Sequence, residues 1–458
     1  MTTTTRLAEF TVKTSLDDCP PEAIALVRRA TLDSLGVMLA GAREPAATIV
    51  QRLCRAEGAT PLCTVAGTSF QTSPTWAALA NGVAGHAHDF DDTNFALMGH
   101  PSVPLLAAAL ATGEAEMLDG RALVTAYVVG FEIDAALGLG LNPAHYERGW
   151  HATASLGTLG CAAAAARLLG LDVSQVRTAL GIAASLASGL KENFGSMTKP
   201  YHAGHAARNG VWAAQLAREG FTASDSALDG SQGYLAAFGD GEHARPLDRA
   251  LDGLGRTWQL LASGIAVKPY PSCALTHSAI DAVLELRRHH GLGPEEVTAI
   301  DVTVNRVVPG VLRHAAPTSA LQRKFSMQFC AATALAEGRV DLASFTDDPV
   351  DDRVRDLMAR VTMTVDPSFP DDLERHAWSA VQIRLADGRT LSSPPRGAEG
   401  HPTAPLSDDA LRAKFLGCAE DVIAPDDAEA IITAVARLED VPDLRVLTAY
   451  LVAPDVTA

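Results

Sequence analysis

The stretch NGVAGHAHDFDDTN, residues 81–94, sets two histidines and three aspartates within the seven positions from His86 to Asp92. Imidazoles and carboxylates at this density can hold a metal ion, move protons, or simply form the polar end of a helix. A metal needs converging donors. On a helical face His86 meets Asp89 at i,i+3 and Asp89 meets Thr93 at i,i+4, while His88 and Asp91 point elsewhere. Aspartates that only cap neighbouring helices would leave the same pattern.

Other segments add cations. In GHPSVP, His100 precedes a proline that interrupts helix geometry, which places its imidazole on a loop within reach of a ligand. HYERGWHATASLG offers His145, Tyr146, Arg148 and His151 beside a long apolar run. FGSMTKPYHAGHAARNG, residues 194–210, holds Lys199, His202, His205 and Arg208 without one acid. Residues 253–280 are acid-free as well and contain Arg256, Lys268 and His277. Two acid-free cationic windows in a chain of net charge −17 point to a pocket for a carboxylate-rich anion. Taken singly, each residue also has an ordinary structural use, as a solvated lysine, a loop histidine or a paired surface arginine.

These residues need a scaffold. At 458 residues the chain exceeds the size of a single core, so two domains are expected. The strong negative charge disfavours nucleic acid and anionic membrane surfaces as partners. Glu9 precedes any apolar run, and the longest apolar stretches are broken by Arg167 or by Glu132 and Asp134; neither a signal peptide nor a membrane span is expected. Seven scattered cysteines without a Cys-x-x-Cys pair fit reduced thiols in the cytoplasm.

From Pro21 to about Gly264, apolar periodicity predicts helices joined by Gly/Pro turns, with SLGTLGCAAAAARLLGL as a central one. VTAIDVTVNRV, ARVTMTVD and SAVQIRLADGRTL alternate β-branched with polar residues and predict strands, the last with an Asp-Gly turn. Helical periodicity returns from Leu406 to Leu451. The expected fold is mainly α: a large helical domain from both chain ends, residues 1–266 and 405–458, with an inserted α+β domain over 267–404.

The blocks NG…H…DFDDT, HPS.P, RG.H.T…GT.G, TKP.H.G.AARNG and KPYPSC…TH, in this order over nearly the whole chain, resemble the MmgE/PrpD family. That family includes dehydratases of 2-methylcitrate, decarboxylases of cis-aconitate and epimerases of iminodisuccinate. The resemblance implies a helical domain with a smaller α+β lid, a homodimer, and catalysis with no metal and no organic cofactor. It implies that Asp89, Thr93, His100, His151, Lys199 and Lys268 line the cleft. Two positions depart from the decarboxylases. Cys273 stands where they have a histidine, with His277 one helical turn later as a partial substitute, and Phe329 aligns with a lid tyrosine.

The chemistry shared by such enzymes handles a proton on carbon beside a carboxylate. Deprotonation there piles charge onto an anionic group, so fixed cations must face the developing aci-carboxylate, at about 3–4 kcal/mol each. Lys199, Lys268 and Arg148 suit that task. A general acid or base contributes about 10²–10⁴ in rate, and Lys199, Tyr146 and His151 are the candidates. With the lid histidine and tyrosine replaced, the expected reaction is epimerisation of an iminodisuccinate-like dicarboxylate. The alternatives are dehydration of a 2-methylcitrate-like acid and decarboxylation of the cis-aconitate type. More distant are a metal-dependent hydrolase built on His86–Asp92 and a non-catalytic helical scaffold.

Overall fold

The computed structural model describes residues 1–241, 244–371 and 377–454. Long helices dominate its first half, among them Pro21–Gly41, Pro74–His86, Ser102–Ala115, Gly120–Leu141, Gly157–Leu168 and Thr198–Arg218. Proline opens several of them at a position whose amide needs no intrahelical partner. Small residues let the helices pack backbone to backbone. A Cβ on Gly82 would lie 2.6 Å from the Cα of Gly204, so Pro74–His86 and Thr198–Arg218 cross in direct contact. Gly157–Leu168 is buried at every position except Arg167, as its composition predicts.

Gly120–Leu141 is long and apolar enough to cross a membrane, yet 89% of its most apolar window is buried inside the protein. Its two acids are held there by backbone amides. Glu132 accepts from Gln259 and Leu260 at 2.8 and 3.0 Å, and Asp134 accepts from Gly160 at 3.1 Å. One core joins side chains from Leu7–Val267 to side chains from Leu406–Leu451, with helix Asp408–Ala419 lying on Pro21–Gly41. The two chain ends therefore share one apolar interior.

A second core runs from Ala279 to Leu385. Its sheet has the order Val361–Val365, Val297–Val304, Ser379–Leu385, Thr390–Arg396, the first pair parallel and the others antiparallel. Alternating burial along Val297–Val304 and Ser379–Leu385 turns one face inward, where helices Ala274–His290 and Met327–Glu337 cover it. Gly388, at φ +87°, makes the predicted Asp-Gly turn. The region read as wholly helical also holds a short hairpin, Cys63–Thr64 with Gln71–Thr72, too brief for periodicity to register.

Candidate active site

Helix Pro74–His86 stops at His86, so the helical face drawn through Asp89 and Thr93 does not form. The chain turns instead. Asp89 adopts φ +52°, a conformation costly for a side-chain-bearing residue, and its carbonyl is pinned by Lys268 Nζ at 2.7 Å. Thr93 exchanges two backbone hydrogen bonds with Ala266, at 2.9 and 2.8 Å, which brings Lys268 to this loop. The close crossing at Gly82 and Gly204 brings Lys199 from the other side.

A dense polar cluster results. Lys268 Nζ also donates to Asp89 Oδ1 at 2.7 Å, and Lys199 Nζ donates to the same oxygen at 3.1 Å and to His86 Nε2 at 2.8 Å. His86 Nδ1 lies 2.9 Å from both oxygens of Asp91. His100 bridges the carboxylates, with Nδ1 3.3 Å from Asp91 and Nε2 3.5 Å from Asp89. His151 Nδ1 meets His202 Nδ1 at 3.0 Å. All of these side chains are buried.

Burial sets the proton positions. It would raise the Asp89 carboxyl, but Lys199 and Lys268 overcome that and hold it well below the usual range, as an anion. Desolvation lowers the Lys199 ammonium despite Asp89, with Lys268 adding like-charge repulsion. His86 is brought down to about 4 by burial and stays neutral. Its contacts assign the proton to Nδ1, facing Asp91, and leave Nε2 to accept from Lys199. His151 is pushed well below its normal value by burial and by the Lys199 charge. Cys273 rises to about 11 through burial and the nearby Asp89, so its thiol stays neutral.

A cavity opens over this cluster. Asp89, Thr93, His100, Tyr146, His151, Lys199, Lys268 and Cys273 line it, so eight of the ten candidate residues come together. Three of them point buried polar atoms that lack any protein partner: Asp89 Oδ2, Thr93 Oγ1 and His151 Nε2. Unpaired buried atoms of this kind are expensive unless a ligand completes them.

The other two candidates are corrected. Arg148 is exposed and spends its guanidinium on the Gly239 carbonyl. His277 is buried beyond Lys268, with Nε2 3.1 Å from the Ser272 carbonyl, so it does not stand in for the residue replaced by Cys273. Among the wider set, His145 is fixed between Ser155 and Phe238, His205 between Ser188 and Asn209, Arg208 over Trp76, and Arg256 on the Asp252 carbonyl. His88 turns to the Ala40 carbonyl and Asp92 to Ser102. Phe329 packs on Phe345 and does not line the cavity, whereas Phe325 does.

Some of the site was missed. Asp91, read as pointing away, orients both His86 and His100. An apolar wall of Phe194, Leu275, Val307, Val311 and Phe325 carries no mark in the sequence, because ordinary core residues look the same.

His86, Asp89, Asp91 and His100 present donor atoms within 4.8 Å of one another, as a metal site would. Two of these donor atoms are already engaged by cations. Lys199 occupies His86 Nε2, and two ammonium groups sit on Asp89 Oδ1, so a dication at these two atoms would have to displace buried cations.

Comparison with known proteins places the chain in a family. Residues 5–247 match the MmgE/PrpD N-terminal domain and residues 270–440 the MmgE/PrpD C-terminal domain. The chain belongs to the MmgE/PrpD family. Among its relatives, the cis-aconitate decarboxylase of Mus musculus is 32% identical over 443 residues, covering 94% of this chain and 89% of that protein. The cis-aconitate decarboxylase of Homo sapiens is 31% identical over 442 residues, covering 93% and 90%. That of Aspergillus terreus is 26% identical over 483 residues, covering 98% and 97%. These relatives carry the name of the decarboxylase alternative and give no support to the epimerase that the sequence reading preferred.

Proposed function

We propose that this protein is a lyase that decarboxylates a β,γ-unsaturated polycarboxylic acid of the cis-aconitate type, using only its own side chains. The observation that carries the reading is the cluster of Lys199 and Lys268 on Asp89 beneath a cavity into which His151 Nε2 points without a partner. In such an acid the bond from the methylene carbon to its carboxylate breaks and releases carbon dioxide. The electron pair forms a new double bond, and the old double bond shifts its pair to the vinyl carbon, which takes up a proton. Charge therefore develops on the carboxylate next to that carbon.

Lys199 and Lys268 each have N–H groups beyond those given to the protein, and these suit that carboxylate. Asp89 keeps both ammoniums in place at low reorganisation cost, the condition under which fixed charges work best. His151 delivers the proton. Burial and the Lys199 charge lower its pKa, and an anion bound beside it favours the imidazolium, so proton uptake accompanies binding. Tyr146 stays protonated, since burial raises its hydroxyl, and serves as a hydrogen-bond donor at the rim.

Incubation of the protein with cis-aconitate in deuterium oxide tests this by proton NMR. Carbon dioxide release with one deuterium in the product methylene is expected, and His151→Gln should lower the rate by about 10²-fold or more. Hydrogen–deuterium exchange at an α carbon of a dicarboxylate, with no carbon dioxide from any unsaturated acid, would restore the epimerase.

Assembly as a homodimer and residence in the cytoplasm belong to the same proposal. Trp212, Leu53 and Ile49 are exposed apolar side chains on two helices that flank Pro74–His86, which supports a covered face there. The cysteines are unpaired, in keeping with a reducing compartment. Light scattering on the purified protein tests the dimer.

A further inference from the structure

Past the end of helix Pro74–His86 the backbone carbonyls have no intrahelical donor, and two consecutive ones are each taken by a buried ammonium. Lys268 Nζ donates to the Asp89 carbonyl at 2.7 Å, and Lys414 Nζ donates to the Phe90 carbonyl at 2.7 Å. Lys414 comes from helix Asp408–Ala419, near the far end of the chain. Among the described residues the cavity lining does not include it.

The Lys414 ammonium lies 2.6 Å from Asp33 Oδ1, on helix Pro21–Gly41, and 4.0 Å from the centre of the Phe90 ring. The lysine side chain is 6% exposed and the aspartate side chain 0%. The Phe90 ring is buried in one cluster with Val37, one turn after Asp33, and with Cys418, one turn after Lys414. The same two helices therefore hold both the ring and the carbonyl of Phe90. Packing of the helices does not itself require charges, since apolar side chains of similar volume replace a buried ion pair at little or no cost. Such side chains cannot donate to a carbonyl.

Phe90 stands between the two carboxylates that organise the site. Asp89, at φ +52°, receives Lys199 and Lys268, and Asp91 faces His86 and His100. Release of the Phe90 carbonyl would free the peptide that joins Phe90 to Asp91, and the carboxylates would lose their register with the ammoniums and imidazoles.

We infer that Lys414 is a positioning residue of the active site: it fixes the Phe90 carbonyl, and through it the Asp89 and Asp91 carboxylates, while Asp33 neutralises its charge. The inference rests on the geometry of the loop, and only its kinetic test rests on the decarboxylase reading.

Two variants separate positioning from stability. Asp33→Leu/Lys414→Met removes both charges at similar bulk, so its melting temperature should stay near that of wild type while kcat for carbon dioxide release from cis-aconitate falls about 10²-fold. Asp33→Asn removes the counterion and keeps the donor, so its melting temperature should fall while kcat stays near wild type. A purely stabilising ion pair predicts the opposite in both. Wild-type kcat in the double variant overturns the inference, and so does a kcat in Asp33→Asn as low as that of the double variant. Each variant decides alone if the other fails to fold.

Proton NMR of protein carrying isotope-labelled histidine reads the loop without turnover. His86 Nδ1, 2.9 Å from both Asp91 oxygens, should keep its downfield proton resonance in Asp33→Asn and lose it in the double variant. An unchanged resonance in the double variant overturns the inference. Wild-type protein that releases no carbon dioxide rejects the decarboxylase reading and leaves this resonance to decide the role of Lys414.

Discussion

The floor of the cavity and its rim both use ion pairs, with opposite physical consequences. On the floor, Asp89, Lys199 and Lys268 are at most 5% exposed, so each charge depends on the others for solvation. At the rim, Arg306 reaches Glu147 at 3.7 Å and Arg313 reaches Glu192 at 2.9 Å, joining the segment that carries Val307 and Val311 to the helical body. Those partners are between 38% and 84% exposed, and water replaces the attraction at almost no cost. Burial therefore makes the floor rigid and interdependent, and exposure leaves the rim free to release.

This contrast breaks most visibly at Asp89. Asp89→Asn leaves two buried ammoniums without their counterion, and we expect a stability loss of about 3–5 kcal/mol in chemical denaturation together with loss of turnover. A variant of near wild-type stability would show that the lysines do not depend on that carboxylate. Next comes Lys199→Met, which keeps the side chain's bulk and removes one fixed charge. A fall of about 10²–10³ in kcat/KM is expected in steady-state assays, and a fall below tenfold removes Lys199 from charge stabilisation.

Smaller effects come from protonation. Burial brings His202 down to about 4, so the unfolded chain binds its proton below about pH 6.5 while the folded chain does not until about 4. That contribution to stability is complete above pH 6.5 and is lost as pH falls toward 4. Burial acts with the opposite sign on Glu132, raised to about 7, which favours the folded state as pH falls through 7. Melting temperatures between pH 7.5 and 4.5 should therefore drop less steeply in His202→Gln than in wild type and more steeply in Glu132→Gln. Parallel curves for all three proteins would contradict both assignments.

The rim gives the smallest change. Arg313→Ala should shift stability by about 1 kcal/mol or less. A larger loss in urea titration would mean that the rim is built like the floor.

Legibility in the sequence followed the same divide between local and long-range physics. Asp89, Thr93, His100, His151, Lys199 and Lys268 stood out because polar types concentrated in short windows of an acidic chain, and the family's blocks placed them together. Arg148 belonged to such a window and still points away, since window composition does not encode side-chain direction. His277 sits one helical turn from Cys273, yet its neighbours on Ala274–His290 turn it toward Ser272. Asp91 was misread because a helix was extended past His86, where the chain leaves the helix for a left-handed turn at Asp89.

By itself the sequence determined the helical and strand periods, the Asp-Gly hairpin and the family, because hydrophobic repeat and motif order are properties of the chain. Only the tertiary structure decided that acid-free windows would be neutralised by an aspartate from a third segment. It also decided which apolar residues became cavity wall rather than core. Both outcomes depend on which distant surfaces meet, and a linear pattern of residue types holds no record of that.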